Sequence, residues 1–178
     1  MTAALGFACF DTALGTCGIA WGEAGLVGVQ LPEGDEAATR ARMRRRFEPC
    51  PEQPAPAAVA TVIAALQAML RGEPASFDEV RLDMSGVPPF HQRVYALALA
   101  LPRGQTTTYG DMARQLGDAG AARAVGQALG ANPFAPIVPC HRTLAAGGRS
   151  GGFSAHGGAR TKLKLLELEG ALTQSSLF

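Results

Sequence analysis

The stretch from residue 121 to residue 142, AARAVGQALGANPFAPIVPCHR, joins a helix to a cysteine. Its first part is made mostly of small, helix-forming residues. Asn132-Pro133 ends that helix, because proline lacks an amide donor and restricts the residue before it. Ile137 and Val138 then predict a short buried strand that leads into Pro139-Cys140-His141-Arg142. The pattern places a cysteine at the end of a connection between two elements.

Cys140 stands between a proline and a histidine, with Arg142 close behind. The thiolate is the nucleophilic form of cysteine, nearby positive charge favours it, and an imidazole that accepts the thiol proton is its usual activator. On an extended chain, neighbouring side chains point to opposite sides, so His141 would reach Cys140 only through a bridging water. Taken alone, the dipeptide is also typical of a buried structural cysteine. Both interpretations stay open at this point.

A carboxylate near the end of the sequence is the second candidate group. A helix is predicted over Lys162–Glu169, and Glu169 follows Leu165 and Leu166 by four and three residues. This spacing places Glu169 on the leucine face, whereas Glu167 faces water. A carboxylate on an apolar face needs a polar partner, and a histidine is a natural one. The alternative is a helix-end carboxylate that turns out to solvent.

Two short helices precede the cysteine. They are predicted over Tyr109–Leu116, with Thr108 as the N-cap, and over Ala121–Ala131, with a turn at Gly117–Gly120 between them. This arrangement is typical of a helix-turn-helix, but most side chains of the second helix are too short to read bases in a major groove. That helix could lie close to a DNA backbone or in a minor groove, with Arg123 as its longest side chain, or pack tightly on a neighbouring helix.

The first half of the chain has a different pattern. Alternating apolar residues predict a three-stranded antiparallel meander near residues 5–9, 17–21 and 26–31. Helices are expected over Asp35–Phe47, with Asp35 as the N-cap, and over Ala57–Leu70, and a further strand is expected over Asp78–Met84. The Gly86–Pro89 stretch is the predicted boundary between an N-terminal domain of residues 1–86 and a site-bearing domain of residues 87–178. The expected fold class is α+β.

Composition excludes several classes of protein. Hydrophobic residues make up 47% and charged residues 17% of the 178 residues, which is typical of a folded chain. The sequence has no run of about 18 apolar residues to span a membrane, and no basic residue before its first apolar stretch, as a secretory signal would have. The four cysteines are too few for a disulfide scaffold and include no Cys-x-x-Cys pair. They favour a reducing cytoplasm.

Charge is distributed unevenly along the chain. Residues 1–100 carry eight basic and eleven acidic side chains, a net charge of −3, and residues 101–178 carry eight and four, a net charge of +4. A basic half suits a phosphate-bearing partner. Five arginines lie within residues 40–46, and this cluster is interpreted as the solvated face of a helix.

Taken in order, these pieces resemble the O6-alkylguanine-DNA alkyltransferase family. The motifs that carry the resemblance are Tyr109, ARAVG at 122–126, Asn132-Pro133, IVPCHR at 137–142, GGFS at 151–154, Lys162 and LLELEG at 165–170. The match covers about Phe90 to Gly170, and the N-terminal part is similar to that family's variable accessory domain. The resemblance implies an RNase H-like accessory domain, followed by a helical, winged helix-turn-helix-like domain that carries the active site.

The resemblance also implies a function, direct-reversal repair of double-stranded DNA. The alkyl group of O6-alkylguanine, and of O4-alkylthymine, would pass irreversibly to Cys140 from a flipped nucleotide, once per molecule. His141 would take the thiol proton through a water, and Glu169 would orient His141. Asn132 would hold the turn before the active site, and Tyr109 would donate a proton to the guanine ring.

The resemblance further implies the surfaces that meet DNA and the base. The expected DNA contacts are Thr108, Tyr109, Ala122, Arg123, Gly126 and Arg142, with Arg123 filling the space of the flipped nucleotide. The expected pocket residues are Pro139, Thr143, Phe153 and Ser154. The chain is expected to need no metal or organic cofactor, to touch no membrane, and to act as a cytoplasmic monomer.

The chain departs from the family pattern in one loop. Phe153 stands where the family usually has tyrosine, and the segment 154–161 is about two residues longer than the common pattern; His156 within it is expected to be exposed. Two other functions stay open. One is a module that binds the lesion without transfer, whose examples lack the cysteine. The other is a cysteine hydrolase, although hydrolases normally place the base far in sequence from the nucleophile.

Overall fold

A computed structural model describes residues 3–171 of the chain. The ends of the two predicted domains, residues 1–2 and 172–178, lie outside the described residues. The chain forms two compact units: one contains the described residues up to Gly86 together with Pro133–Ile137, and the other contains Val87–Asn132 and the described residues from Val138 on. The expected combination of a small antiparallel sheet followed by helices is confirmed.

The first unit is built on a three-stranded meander in the order β1-β2-β3. The strands are β1 (Gly6–Thr12), β2 (Gly15–Gly22) and β3 (Gly25–Gln30), all antiparallel to their neighbours. Gly15 and Gly25 have φ values of 125° and 138°, a region that suits glycine at these tight turns. The meander predicted from the alternation of apolar residues is therefore confirmed.

Two helices complete the first unit. Helix α1 spans Glu36–Phe47, and Asp35 caps it by accepting a hydrogen bond from the Ala38 amide at 2.8 Å. Helix α2 spans Ala57–Leu70 and has the predicted bounds. Met43 and Phe47 of α1 join a buried cluster with residues of the sheet, which explains why the apolar face of α1 packs inward.

The strand predicted over Asp78–Met84 is wrong. Only one isolated parallel bridge forms there, between Leu26 and Leu82. The Leu26 amide donates to the Arg81 carbonyl and the Asp83 amide donates to the Leu26 carbonyl, each at 2.8 Å. The Asp83 carboxylate then accepts from the amide and hydroxyl of Ser85, at 3.0 and 2.6 Å. This local turn ends the pairing after a single residue, because it directs the backbone away from the sheet.

The second unit is mainly helical. Its elements are α3 (Pro89–Ala100), β4 (Thr107–Thr108), α4 (Tyr109–Gln115), α5 (Ala122–Gly130), β5 (Thr143–Leu144) and α6 (Ala159–Leu168). Strands β4 and β5 form a parallel pair. Thr108 caps α4 as predicted, since its hydroxyl accepts from the Asp111 amide at 3.1 Å. The buried Tyr95 hydroxyl donates to the Ala128 carbonyl at 2.7 Å and so ties α3 to α5.

The strand predicted at Ile137 and Val138 is also wrong, because Ile137 lies in a turn and Val138 in a bend. Pro136 and Pro139 flank the pair, and a proline supplies no amide for a ladder hydrogen bond. Both residues are nevertheless buried, so the apolar pattern reports burial correctly without reporting a strand. None of the helices within residues 3–171 has the length and apolarity needed to cross a bilayer.

Candidate active site

Cys140 lies in a short 3-10 helix, Cys140–Arg142, that leads into β5. The Arg142 amide donates to the Pro139 carbonyl at 3.0 Å, which closes this turn. The expectation of an extended chain here is therefore wrong. Cys140 is 5% exposed and His141 is fully buried, so the turn brings both side chains into the interior.

Glu169 directly follows α6 and meets His141. His141 Nε2 lies 2.9 Å from Glu169 Oε1, and both side chains are buried. The structure thus contains the pairing of a buried carboxylate with a histidine that the leucine spacing suggests. Glu167, two residues earlier, is exposed as expected.

The other ring nitrogen of His141 is the atom available for chemistry. Nδ1 is buried and has no hydrogen-bond partner among residues 3–171. Burial lowers the pKa of His141, and the hydrogen bond and charge of Glu169 oppose that shift without overcoming it. The ring is therefore neutral near pH 7. A neutral ring that donates from Nε2 to a carboxylate carries its lone pair on Nδ1, which makes Nδ1 the basic atom.

Arg142 holds the same carboxylate from a second side. Its guanidinium donates to Glu169 Oε2 at 2.9 Å and Oε1 at 2.8 Å, and to the Leu101 carbonyl at 2.7 Å. Burial alone would raise the pKa of Glu169, but the hydrogen bonds from His141 and Arg142 outweigh burial and bring the pKa to about 2. Glu169 is thus a permanent carboxylate. The expected contact of Arg142 with DNA stays a prediction.

Burial decides the resting state of Cys140. It raises the pKa of the thiol, and the opposing effects of an Asn132 hydrogen bond, the Lys162 charge and two backbone amides are smaller. The sequence favours a thiolate because of neighbouring positive charge, and this expectation is wrong for the resting protein. The proton therefore has to leave when the sulfur reacts, which requires a base such as Nδ1 of His141.

Asn132 connects α5 to this region. Its side-chain amide donates to the Val138 carbonyl at 2.8 Å, so a residue just beyond the end of α5 is tied to the residue two before the cysteine. The bond closes the base of the Pro133–Ile137 segment. The structure thus gives Asn132 a position from which it can hold the turn before Cys140.

Lys162 is a site residue to which the sequence motifs assign no role. It is fully buried in the first turns of α6. Nζ donates to the Thr143 carbonyl at 2.6 Å, to Tyr109 Oη at 3.2 Å and to the Gly152 carbonyl at 3.4 Å. Burial lowers the pKa of Lys162 to about 8. The same leucine-face spacing that predicts Glu169, residues 162, 165, 166 and 169, could have identified this lysine.

Tyr109 stands at the start of α4 and is half-buried. Lys162 Nζ lies 5.5 Å from the centre of its ring. Gly151 leaves room for the ring, because a Cβ there would lie 2.7 Å from Oη; a Cβ at Gly126 would lie 3.9 Å from the ring carbons, an ordinary contact distance. Gly126, expected to contact DNA, thus also borders Tyr109.

The remaining predicted residues divide by exposure. Pro139 and Thr143 are buried, Ala122, Thr108 and Phe153 are partly buried, and Arg123, Ser154 and His156 are exposed. The expected exposure of His156 is confirmed, and the DNA and pocket contacts of the others stay predictions. Within residues 3–171, no three His, Cys, Asp or Glu side chains are grouped as a metal site would require.

Comparisons with known proteins agree on one group of proteins. Residues 89–171 match the model of the DNA-binding domain of 6-O-methylguanine DNA methyltransferase. A methylated-DNA–protein-cysteine methyltransferase of Mycobacterium tuberculosis is 47% identical over 116 residues, 65% of this chain and 68% of the relative. A DNA base-flipping protein of Thermus thermophilus is 44% identical over 132 residues, covering 72% and 87%. The structure of M. tuberculosis OGT in complex with DNA superposes with a TM-score of 0.75 at 36% identity, covering 97% of both chains.

Proposed function

The chain belongs to the O6-methylguanine-DNA methyltransferase family of DNA-repair transferases, and we propose that it transfers the alkyl group of O6-alkylguanine in double-stranded DNA to Cys140. One observation carries the proposal. Cys140 adjoins a buried His141 whose Nε2 is 2.9 Å from the permanent carboxylate of Glu169 and whose Nδ1 is left basic. A nucleophile, a base and a group that orients the base are the parts that covalent catalysis needs.

The first step of the proposed reaction activates the sulfur. The thiol proton of Cys140 passes to His141 Nδ1, through a bridging water as the family account implies. Glu169 stabilises the imidazolium that forms, and Arg142 keeps Glu169 ionised and oriented. Because burial disfavours the separated charges in the resting state, the proton transfer is coupled to the attack on the alkyl carbon.

The second step is a displacement at that carbon. The sulfur forms a bond to the alkyl carbon, the bond between that carbon and O6 breaks, and its electron pair goes to the guanine oxygen. Tyr109 donates a proton to the guanine ring, and the Ser154 amide lies near the guanine oxygen, so both neutralise the leaving group. The Cys140 and Thr143 carbonyls accept from the exocyclic amine. Lys162 donates to Tyr109 and thereby leaves the Tyr109 proton free to point at the base.

The product is a thioether on Cys140, together with unmodified guanine. No proton transfer or thiol exchange reverses a carbon–sulfur bond of this kind. Each molecule therefore acts once. O4-alkylthymine, which carries its alkyl group on an equivalent base oxygen, is the second proposed substrate.

DNA recognition in this proposal uses α4 and α5 as a helix-turn-helix. The base lies inside a stacked duplex and has to be turned out before the sulfur can reach it. Arg123, exposed on α5, enters the duplex in its place, while Ala122 and Gly126 let the helix approach closely. Thr108 and Arg142 complete the proposed DNA contacts, and Pro139, Phe153 and Ser154 line the pocket.

The finer structural and cellular assignments belong to the same proposal. We assign the first unit to an RNase H-like accessory domain and the second to a winged helix-turn-helix-like domain. The cytoplasm is the proposed compartment, since a reducing environment keeps the acceptor thiol reduced. The monomer is the proposed active form, because the acceptor, the base and the orienting carboxylate come from one chain.

Mass spectrometry tests the proposal directly. The protein is mixed with a duplex that contains O6-methylguanine, and the Cys140 peptide is expected to gain one methyl group, with at most one lesion repaired per molecule. Cys140→Ser is expected to bind the same duplex and to transfer nothing, a loss of at least about a thousandfold. Continued turnover, or lesion loss with Cys140 unmodified, would contradict the mechanism.

A second candidate function is lesion binding without transfer. The similarity to a protein named for base flipping favours it. The same experiment separates the two functions, because a pure binding module protects the lesion and leaves the mass of the Cys140 peptide unchanged.

A further inference from the structure

The segment Pro133–Ile137 belongs structurally to the first unit, although the sequence predicts it within the second domain. It directly follows Asn132 and ends three residues before Cys140. The hydrogen bond from Asn132 to the Val138 carbonyl closes its base. The contacts that hold this segment in place therefore also fix the position of the backbone before and after the turn that Asn132 closes.

Strand β3 and helix α1 each donate a hydrogen bond to the same carbonyl oxygen of the segment. The Pro133 carbonyl accepts from the Val29 amide at 2.9 Å and from Arg46 Nη2 at 2.8 Å. Phe134 and Ile137 are buried, so the segment is also anchored by apolar packing. Val29 lies on the edge strand of the meander, and the segment thus covers backbone groups that a sheet edge would otherwise leave unpaired.

Arg46 completes a closed set of hydrogen bonds at this point. Its Nη1 donates to the Val29 carbonyl at 2.8 Å and lies 3.4 Å from Gln30 Oε1, while Nη2 reaches Pro133. One planar guanidinium thus bridges two backbone carbonyls from different parts of the chain. A lysine would have to reach both carbonyls from a single nitrogen, without the rigid planar fork that fixes the guanidinium between them.

Arg46 differs from the other arginines of its cluster. Arg42, Arg44 and Arg45 are exposed, and Arg40 pairs with Glu36 and Glu52. Arg46 is partly buried, which corrects the interpretation of the whole cluster as solvated. No carboxylate of the described chain lies within 4.0 Å of the Arg46 guanidinium. Burial, and to a smaller extent the charge of Arg42, lowers the pKa of Arg46 to about 10.

Burying a cation without a carboxylate is unfavourable, and a methionine would fill the same volume without that penalty. The feature that only arginine supplies here is its fork of donors. Gly28 makes room for this fork, because a Cβ at residue 28 would lie 2.7 Å from Arg46 Nη2 and 2.5 Å from Phe47 Cζ. The geometry therefore depends on two residues of the first unit.

We propose that Arg46 is a positioning residue for alkyl transfer, acting through the Pro133 carbonyl on the backbone between Asn132 and Cys140. The inference rests on the proposed function of Cys140. It gives the first unit a part in the chemistry, through a single guanidinium. A displacement of the cysteine by a fraction of an ångström lowers the rate, because in-line attack depends on distance and angle.

Single-turnover kinetics separates positioning from folding. In a reaction that stops after one event, the final amount of alkylated Cys140 counts active molecules, and the rate constant reports how well each one is arranged. Arg46→Met is expected to lower the rate constant about tenfold at saturating duplex. The decrease is expected to be equal with free O6-alkylguanine base, and the duplex concentration at half-maximal rate is expected to change less than twofold.

Three variants sharpen the test. Arg45→Met removes an exposed arginine from the same helix and is expected to change neither quantity. Arg46→Lys keeps the charge but loses the fork, and is expected to recover less than half of the lost rate. Gly28→Ala displaces the guanidinium without removing it, and is expected to reproduce the defect of Arg46→Met. The Gly28→Ala variant also keeps the test possible if Arg46→Met fails to fold.

Two outcomes would overturn the role of Arg46. One is a wild-type rate constant in Arg46→Met with only the amplitude reduced, which means a purely structural role. The other is a defect on duplex alone, which means that the charge of Arg46 acts on DNA. A wild-type protein that alkylates Cys140 with neither substrate would instead disprove the proposed function itself.

Discussion

The network around Cys140 and the outer face of α5 lie in opposite environments. His141 and Glu169 are buried, and their polar atoms other than His141 Nδ1 have partners within the chain. Arg123 on α5 is exposed. Burial therefore defines the first region before any substrate binds, whereas the contacts proposed for the second region form only with DNA.

This contrast bears on how each region responds to substitution. In the buried network, one change leaves other charged groups without partners, so we expect large effects that extend to every substrate. On α5, the side chain would lose only its proposed contacts with DNA, so we expect smaller effects confined to duplex substrates. Four substitutions test this difference.

Glu169→Gln is expected to have the largest effect of the four. It removes the carboxylate that accepts from His141 and Arg142, and a glutamine amide can orient the imidazole in the wrong tautomer. The transfer rate is expected to fall about 100- to 1000-fold on duplex and free base alike, measured as alkylation of Cys140 over time. Glu167→Gln, on the exposed side of the same helix, is the matched control and is expected to react normally. A loss seen only on duplex would contradict a role in activating the cysteine.

Arg123→Ala tests the opposite side of the comparison. The exposed guanidinium is proposed to replace the flipped nucleotide in the stack, so repair of duplex is expected to slow about 30-fold, consistent with a few kcal/mol of unstacking. Reaction with free O6-alkylguanine is expected to change less than twofold. Gln127→Ala, exposed one turn later on α5, serves as the control. Equal losses on both substrates would remove the insertion role.

Lys162→Met is expected to reduce the rate about tenfold at pH 7 and to change its pH dependence. Burial brings the pKa of Lys162 from its usual 10.5 down to about 8, so the ammonium is present below pH 8 and lost above it. Loss of this charge removes a donor to Tyr109 and a cation that favours the Cys140 thiolate. The wild-type rate is therefore expected to fall as pH rises through about 8, and the variant is expected to show no such fall.

The control for this prediction is Lys164→Met, because Lys164 is exposed and pairs with Glu167. It should retain the wild-type pH profile. A wild-type rate that continues to increase from pH 7 to pH 9 would show that Lys162 does not control the reaction in this range.

The same contrast explains what the sequence could predict. Helix α2, the Asp35 cap and the Thr108 cap follow from local chemistry, and the sequence identifies all three. Glu169 is predicted on a buried face because its spacing from two leucines is itself a local pattern. The strands at 78–84 and 137–138 fail, because apolar residues indicate burial but not which backbone groups will pair.

Lys162 and Arg46 show the other limit of prediction from sequence. Each lies three residues from a buried apolar residue of its own helix, Leu165 for Lys162 and Met43 for Arg46. Helical spacing alone would therefore place both side chains near the buried face. Their charge nevertheless favours a solvated interpretation, which holds for most lysines and arginines. Only the tertiary positions of the Thr143 and Pro133 carbonyls explain why these two cations are drawn inward, and no short sequence pattern contains that information.

His156→Ala is expected to have the smallest effect, and it tests where the DNA-dependent surface ends. The imidazole is exposed, and the contact that orders this turn, from the Thr161 hydroxyl to the His156 carbonyl at 2.6 Å, uses the backbone, which alanine keeps. Repair of duplex is therefore expected to change less than twofold at low ionic strength, where a contact with phosphate would be strongest. A larger loss that disappears at high salt would show that the lengthened 154–161 loop joins α5 in binding the DNA backbone, and the boundary between the two regions would move to include it.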